Sequence, residues 1–530
     1  MVALVSLLCL TLTGCTLPWQ EAPQENTKEE TGNSLDKIEE THEMVKTDTD
    51  TLIIAMNTPK TLNPLYNTQA NVEQALYLIF SPLVNVEEDG TLSSNLAESW
   101  VVNETQTAVT VTLKQGLTWH DGTPLTSDDV IFTLHQIQKI PDCPYSQAVQ
   151  NMQSVERIDN TSFKIIYKQS FSGVLGTLFF PVIPAHIYNV ENSDAMTITP
   201  IGSGPYMYES MTSLESISLK ANSHYFNGKP QIEKIKVNFI PDEESSLYAF
   251  KQGLIDVVFT NETEWGKYTN NKANSAYEMV SSTYEFIGLN MNKVIFQNPS
   301  IRSALVYGIN REDIIRLYYL DHAVVTDSLI SPVSYLNDKT LETKRYDKES
   351  AKYLLVQEGY ELDSTTGLMT KNGVPFSFKL LINAESSERI KIAKELQNMY
   401  KEIGVDMQYE AVDKQTYLNR IMAKDYDAFL GAYQLSYATD LSFALHSASV
   451  ENYTGFKDAK MDDLLKQAFV ATSKSAPEAY SKLQQYLEET NPYISLFFKK
   501  SVLITKNNIG GDIHPTPLNI FANVEKWTIS

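Results

Sequence analysis

Residues 113–134, LKQGLTWHDGTPLTSDDVIFTL, constrain this chain more than any other stretch, because three kinds of local structure follow one another without a gap. Ala108 to Leu113 leads in with apolar and hydroxylated residues in alternation, the period-2 pattern of a half-buried strand. Asp121-Gly122-Thr123-Pro124 is turn chemistry, since Gly supplies positive φ and Pro fixes its own φ near about −65°. Thr126-Ser127-Asp128-Asp129 then opens a helix, with a hydroxyl to cap free N–H groups and two carboxylates where the helix dipole favours negative charge. Strand, tight turn and capped helix in so short a stretch make a rigid corner, which suits a scaffold better than a catalytic loop.

The N-terminus carries an address. Met1 to Thr13 is almost entirely apolar but too short to span a bilayer, which takes about 20 residues. It reads as a signal peptide over residues 1–14, and Leu12-Thr13-Gly14-Cys15 resembles the lipobox of bacterial lipoproteins, which makes Cys15 the expected lipidation site. A plain membrane anchor is the other reading. No Lys or Arg precedes the apolar run, which implies a start some codons upstream or an atypical signal. Residues 15–48 are polar and aperiodic, and are read as a flexible tether.

The rest exceeds what one core accommodates and suits two or three lobes. A net charge of −22 argues against nucleic-acid binding. Of three cysteines, Cys9 lies in the signal segment and Cys15 is the lipid site, so Cys143 alone can form neither a disulfide nor a thiolate zinc centre. Strands are predicted over 51–56, 163–168, 179–183, 232–240, 254–258, 286–292, 376–382, 405–412, 426–432 and 491–498. Helices are predicted over 71–80, 245–253, from Asn298 through Ile314, and over 351–358, 390–402, 413–423, 458–472 and 476–490. Their alternation points to α/β lobes built on parallel sheets.

Catalytic patterns are few. GxSxG, HExxH and Cys–His signatures are missing from the sequence. Gly202-Ser203-Gly204-Pro205-Tyr206 lacks the Lys of a phosphate loop and reads as a chain re-entry turn. His120 and Asp121 adjoin on the turn, where neighbours do not make an acid–base pair; a satisfied surface histidine is the bland reading and a hydrolase the sharp one. The eight histidines are scattered, leaving a metal site from distant positions open. No cofactor is expected.

Several ordered motifs carry a resemblance across about residues 50–525: Leu62–Leu65 (LNPL), Ser81–Val84 (SPLV), Leu117–Val130, Gly202–Tyr206, and Ile301–Ile315 (IRSALVYGINREDII). Together they resemble extracellular solute-binding protein family 5, the oligopeptide- and dipeptide-binding lipoproteins of bacterial ABC importers. The resemblance implies an α/β, periplasmic-binding-protein-like fold: two main lobes joined by a two-crossing hinge, plus an inserted third subdomain. It divides the chain into lobe I (49–84, 196–285 and 499–530), the insert (85–195) and lobe II (286–498). It implies a non-enzymatic receptor that closes on an extracellular peptide and delivers it to an ABC permease with its ATPase subunits. The receptor would be a monomer held to the membrane by lipid.

Ligand contacts implied by the resemblance are the loop Thr68, Gln69 and Ala70 and the strand end Ala432, Tyr433 and Gln434, reading peptide backbone by main-chain hydrogen bonds. Peptide-binding members place an aspartate shortly after a Gly-Trp strand end to pair with the α-ammonium. Here Tyr433 stands where Trp is common and Ser436 where the aspartate sits, with Asp440 as the substitute. A nickel complex, heme or oligosaccharide are the rival cargoes, His446 being the residue to test for nickel, and peptide sensing without transport is the rival role. Arg302 and Arg311 either hold a carboxylate ligand or tie loops to helix ends.

Overall fold

The computed structural model describes residues 50–269, 272–435 and 440–530. The signal segment, Cys15 and Ser436 lie outside them. The fold is mixed α/β, in two lobes with an inserted subdomain.

The first lobe is built on a four-stranded sheet in the order Thr51–Met56, Lys234–Phe239, Ser216–Ala221, Tyr206–Thr212. Only its first pair is parallel. The insert carries a second four-stranded sheet, all antiparallel, ordered Ala97–Val102, Ala108–Leu113, Ser162–Tyr167, Met152–Arg157. The second lobe hangs on a seven-stranded mixed sheet, where Ser377–Asn383 lies parallel to both Asp406–Val412 and Ala428–Gln434. The expected parallel sheets are therefore largely antiparallel. The βαβ crossover supplies parallel pairs, but hairpins and the two long strands described next supply most of the others.

Asn274–Leu289 and Tyr493–Lys506 pair antiparallel along most of their length and join the lobes. One core contains Met279 and Leu503 together with Leu52, Trp119 and Trp527. The other contains Val280, Tyr284 and Phe498 together with Leu305, Leu396 and Leu483. Each strand thus leaves one core and enters the other, and pairing breaks register between Val280 and Tyr284, where the extra residues bulge.

The corner at 113–134 forms as its local signals dictate. Gly122 takes φ 85°, the Trp119 N–H donates to the Thr123 carbonyl at 2.9 Å, and helix Ser127–Lys139 starts at the N-cap Thr126. The buried Asp129 carboxylate accepts the Thr126 N–H at 3.0 Å, the Ala185 N–H at 3.1 Å and the Trp119 indole N–H at 3.4 Å. One side chain therefore caps a helix and ties two loops to it.

Two predicted elements differ in kind. Residues 179–183 form only an isolated bridge, Pro82 to Pro181, because Pro181 and Pro184 remove ladder donors. The helix expected through Ile314 is two, Pro299–Tyr307 and Arg311–Tyr318. The Asn310 carboxamide oxygen caps the second by accepting the Asp313 N–H at 3.1 Å.

Candidate functional site

The strand Ala428–Gln434 pairs with Asn274–Leu289 from Ala428 to Gln434, but with Ser377–Asn383 only at Ala428 and Phe429. From Leu430 onward that second edge carries no strand among the described residues, and the Leu430 carbonyl takes the Tyr417 hydroxyl at 2.7 Å. A bare strand edge is a template for an added strand.

The side chains along this edge are occupied inside the lobe. Tyr433 is buried, with its ring 4.6 Å from Phe286 and 5.2 Å from Phe443, and its hydroxyl pairs with that of Tyr493 at 3.1 Å. Burial, with Tyr493 alongside, holds the Tyr433 phenol well above the ordinary tyrosine range. The Gln434 amide faces the crossing strand: its oxygen accepts the Thr283 hydroxyl at 3.0 Å and its nitrogen donates to the Ser282 hydroxyl. Ala432 is half-buried, which leaves backbone as what this strand end offers a ligand.

In the first lobe, Thr68 and Ala70 are exposed, and Ala70 starts the helix Ala70–Leu76. The Gln69 amide braces its own loop, accepting the Lys60 N–H at 3.2 Å and donating to the Thr58 carbonyl at 3.3 Å. Among the described residues no hydrogen bond or ring contact joins this loop to the 432–434 strand end.

Asp440 stands at an open cavity of about 440 Å³ with Ser442, His446, Asp462, Asp463, Lys466 and Phe469. Its carboxylate accepts the Ser442 N–H at 2.9 Å. Asp462 accepts the Ser447 N–H at 2.8 Å and lies 4.0 Å from the His446 imidazole, whose Nδ1 accepts the Ala448 N–H at 3.1 Å. Three carboxylates against one lysine make a wall suited to a cationic group. Of these residues only Asp440 and His446 stand out in the sequence. Asp462, Asp463, Lys466 and Phe469 belong to helix Ala459–Val470 and carry no mark beyond amphipathic spacing. Among the described residues no group of three or more His, Cys, Asp or Glu is arranged to hold a metal ion.

The remaining candidates are structural. Arg302 donates to the carbonyls of Phe296, Gln297, Thr490 and Asn491. Arg311 donates to the Thr326 carbonyl at 2.7 Å, the Ser495 carbonyl at 3.1 Å and the Lys344 carbonyl, and pairs with Asp327 at 2.7 Å. Both tie loops to helix ends. His120 and Asp121 diverge. His120 is wedged between two glycines, its Nε2–H donating to the Gly204 carbonyl at 3.0 Å and its Nδ1 accepting the Gly202 N–H at 3.2 Å. Asp121 instead meets His186 at 2.7 Å on the surface. The glycines are required by proximity, since a Cβ on Gly202 would sit 1.9 Å from the Ile79 carbonyl oxygen. Gly202→Ala is therefore expected to lower Tm by several degrees by scanning calorimetry, as backbone on both sides must move.

The profile of the bacterial extracellular solute-binding proteins, family 5 (middle region), matches residues 91–455. The chain is 26% identical over 502 residues to the oligopeptide-binding protein AppA of Bacillus subtilis, spanning 91% of this chain and 92% of that one. The structure of that AppA in complex with a nonapeptide superposes with a TM-score of 0.63 at 25% identity, covering 91% of this chain and 99% of the other. The ABC transporter substrate-binding protein CtaP of Listeria monocytogenes superposes with a TM-score of 0.75 at 26% identity, covering 90% and 99%. The nickel-binding periplasmic protein of Escherichia coli is 26% identical over 361 residues, 65% of this chain and 68% of that one. The profile match takes in well over half of the sequence, and the chain belongs to the bacterial extracellular solute-binding proteins of family 5.

Proposed function

We propose that this chain is the solute-binding subunit of an ABC importer, that its cargo is oligo- or dipeptides, and that it captures them by lobe closure and passes them to a membrane permease with its ATPase. The observation that carries the peptide reading is the strand edge beyond Leu430, where Ala432 to Gln434 have no strand beside them among the described residues; the acidic cavity lined by Asp440 is the second observation. An extended peptide pairs with that edge through its main chain, and its α-ammonium meets the carboxylates. Thr68 and Ala70, both exposed, serve the other face of the ligand, and Gln69 holds that loop in shape. The relative that binds oligopeptides, matched over nine-tenths of both chains, supports the same cargo.

The lobes in this reading are 49–84, 196–285 and 499–530; 85–195; and 286–498. The exchange of cores along the two crossing strands supports the separation of 286–498 from the rest, with Val280 and Tyr284 already packed in the core of the second lobe. Residues 1–14 are the signal peptide and Cys15 the lipidated residue, and 15–48 the tether that keeps a monomeric receptor at the outer face of the cell membrane. No catalytic role is assigned to His120 or Asp121, whose side chains face apart.

Asp440→Asn is expected to weaken binding of free-amine peptides about tenfold and to leave N-acetylated peptides unaffected, as loss of one charge-assisted contact predicts. Thermal shift of the full protein with random peptide pools reads the cargo: a rise in Tm of several degrees at saturation supports the proposal. Stabilisation by nickel salts alone, abolished in His446→Ala, would replace peptides with the metal complex.

A further inference from the structure

We propose that Gln106, Phe171 and Phe469 form a latch between the inserted subdomain and the second lobe, and that this latch sets how long a ligand is held. The inference rests on the reading of the lobes as a closing receptor.

Gln106 sits at the tip of the hairpin joining Ala97–Val102 to Ala108–Leu113, in the left-handed region at φ 52°. The tip is rigid, because the Asn103 carboxamide oxygen accepts the N–H groups of Thr107 at 2.9 Å and Ala108 at 3.0 Å. From there Gln106 reaches the last residue of helix Ala459–Val470, its Nε2 donating to the Val470 carbonyl at 3.5 Å. Helix ends leave their last carbonyls unpaired, so the amide meets an available acceptor. Beside it the Phe171 and Phe469 rings stack with centroids 6.1 Å apart and planes at 28°. Phe469 also lines the cavity of Asp440, so the stack is continuous with the proposed ligand wall.

The contact contains two opposed effects. Apolar burial of Phe171 and Phe469 draws the subdomain onto the lobe. The Gln106 residue, however, is only 4% exposed and its Oε1 is buried without a hydrogen-bond partner. A buried amide oxygen without a donor favours separation, since parting the surfaces returns it to water. A surface balanced in this way closes without locking, which suits a receptor that must both hold its ligand and release it. A second contact between the same bodies, the Tyr335 N–H to the Asp89 carbonyl at 2.9 Å, is independent of the first.

Two variants separate the opposed effects. In Gln106→Met an apolar chain of similar length replaces the orphaned amide, and the latch is expected to tighten. Hydrogen exchange over residues 103–108 and 466–472 of the ligand-free full chain then slows, and peptide release slows about tenfold. In Phe469→Ala exchange over both segments is expected to quicken and release to accelerate by about the same factor. Unchanged or faster exchange in Gln106→Met, with thermal unfolding intact, would overturn the latch, as would unchanged exchange in Phe469→Ala. The exchange readout needs no ligand, so altered exchange in a protein that binds no peptide would support the latch while removing the peptide cargo.

Discussion

Replacing Arg311 with Met is expected to lower the stability of the second lobe by about 3–5 kcal/mol, the size of effect seen when one partner of a buried ion pair is removed. The guanidinium side chain is 3% exposed and its partner Asp327 9%. Arg311 joins three separate stretches, through the carbonyls of Thr326, Lys344 and Ser495, and Asp327 returns to the same knot by accepting the Lys344 N–H at 2.7 Å. Met fills the volume but leaves a buried carboxylate short of its cation and three carbonyls short of donors. Arg311→Lys keeps the charge without the planar fork and is expected to fall between wild type and Met. Denaturant unfolding followed by hydrogen exchange locates the loss: it belongs to residues packed with Ile314 and Leu496 and leaves the insert unaffected.

His120→Gln is expected to flatten the dependence of stability on pH between about 6.5 and about 4. Burial between Gly202 and Gly204 pushes the His120 imidazole down from 6.5 to about 4. The folded protein therefore keeps it neutral while the unfolded chain takes up a proton from pH 6.5 downward. Stability from this group is present in full above pH 6.5, declines as pH falls, and is lost by about pH 4, a swing on the order of 3 kcal/mol. Thermal midpoints measured across that range check it. The variant starts lower at pH 7, because two backbone partners are left with a poorer match, and loses less on acidification. A variant with the full wild-type slope would mean that other groups drive the acid response.

Legibility followed the reach of each signal. The corner at 113–134 can be read directly because strand alternation, a Gly-Thr-Pro turn and a helix cap are all local. The crossing strands are less visible. Residues 274–283, NSAYEMVSST, have no clean alternation and become strand only through pairing with Tyr493–Lys506, more than two hundred positions away. The strand end carrying Tyr433 is predicted two residues early, since the apolar stretch is read from Tyr426 across Asp427 although the ladder starts at Ala428. The cavity wall of Asp462, Asp463, Lys466 and Phe469 is hidden, because a helix face looks the same in sequence whether it meets water or a cleft. Gln106 is harder still, as a polar residue at a hairpin tip gives no sign that a helix from another part of the chain will bury it. Ser436, offered by register as the replacement for an ammonium-binding aspartate, lies outside the described residues, and Asp440 at the cavity is where the geometry directs the next substitution.

The most direct test of peptide capture is mass spectrometry of the small molecules released when the full-length protein, purified from the cells that make it, is denatured. Captured cargo should appear as a ladder of short peptides of mixed sequence, consistent with recognition through main-chain pairing. A single metal complex, heme or oligosaccharide in their place would contradict the peptide reading and assign the cavity at Asp440 to that molecule.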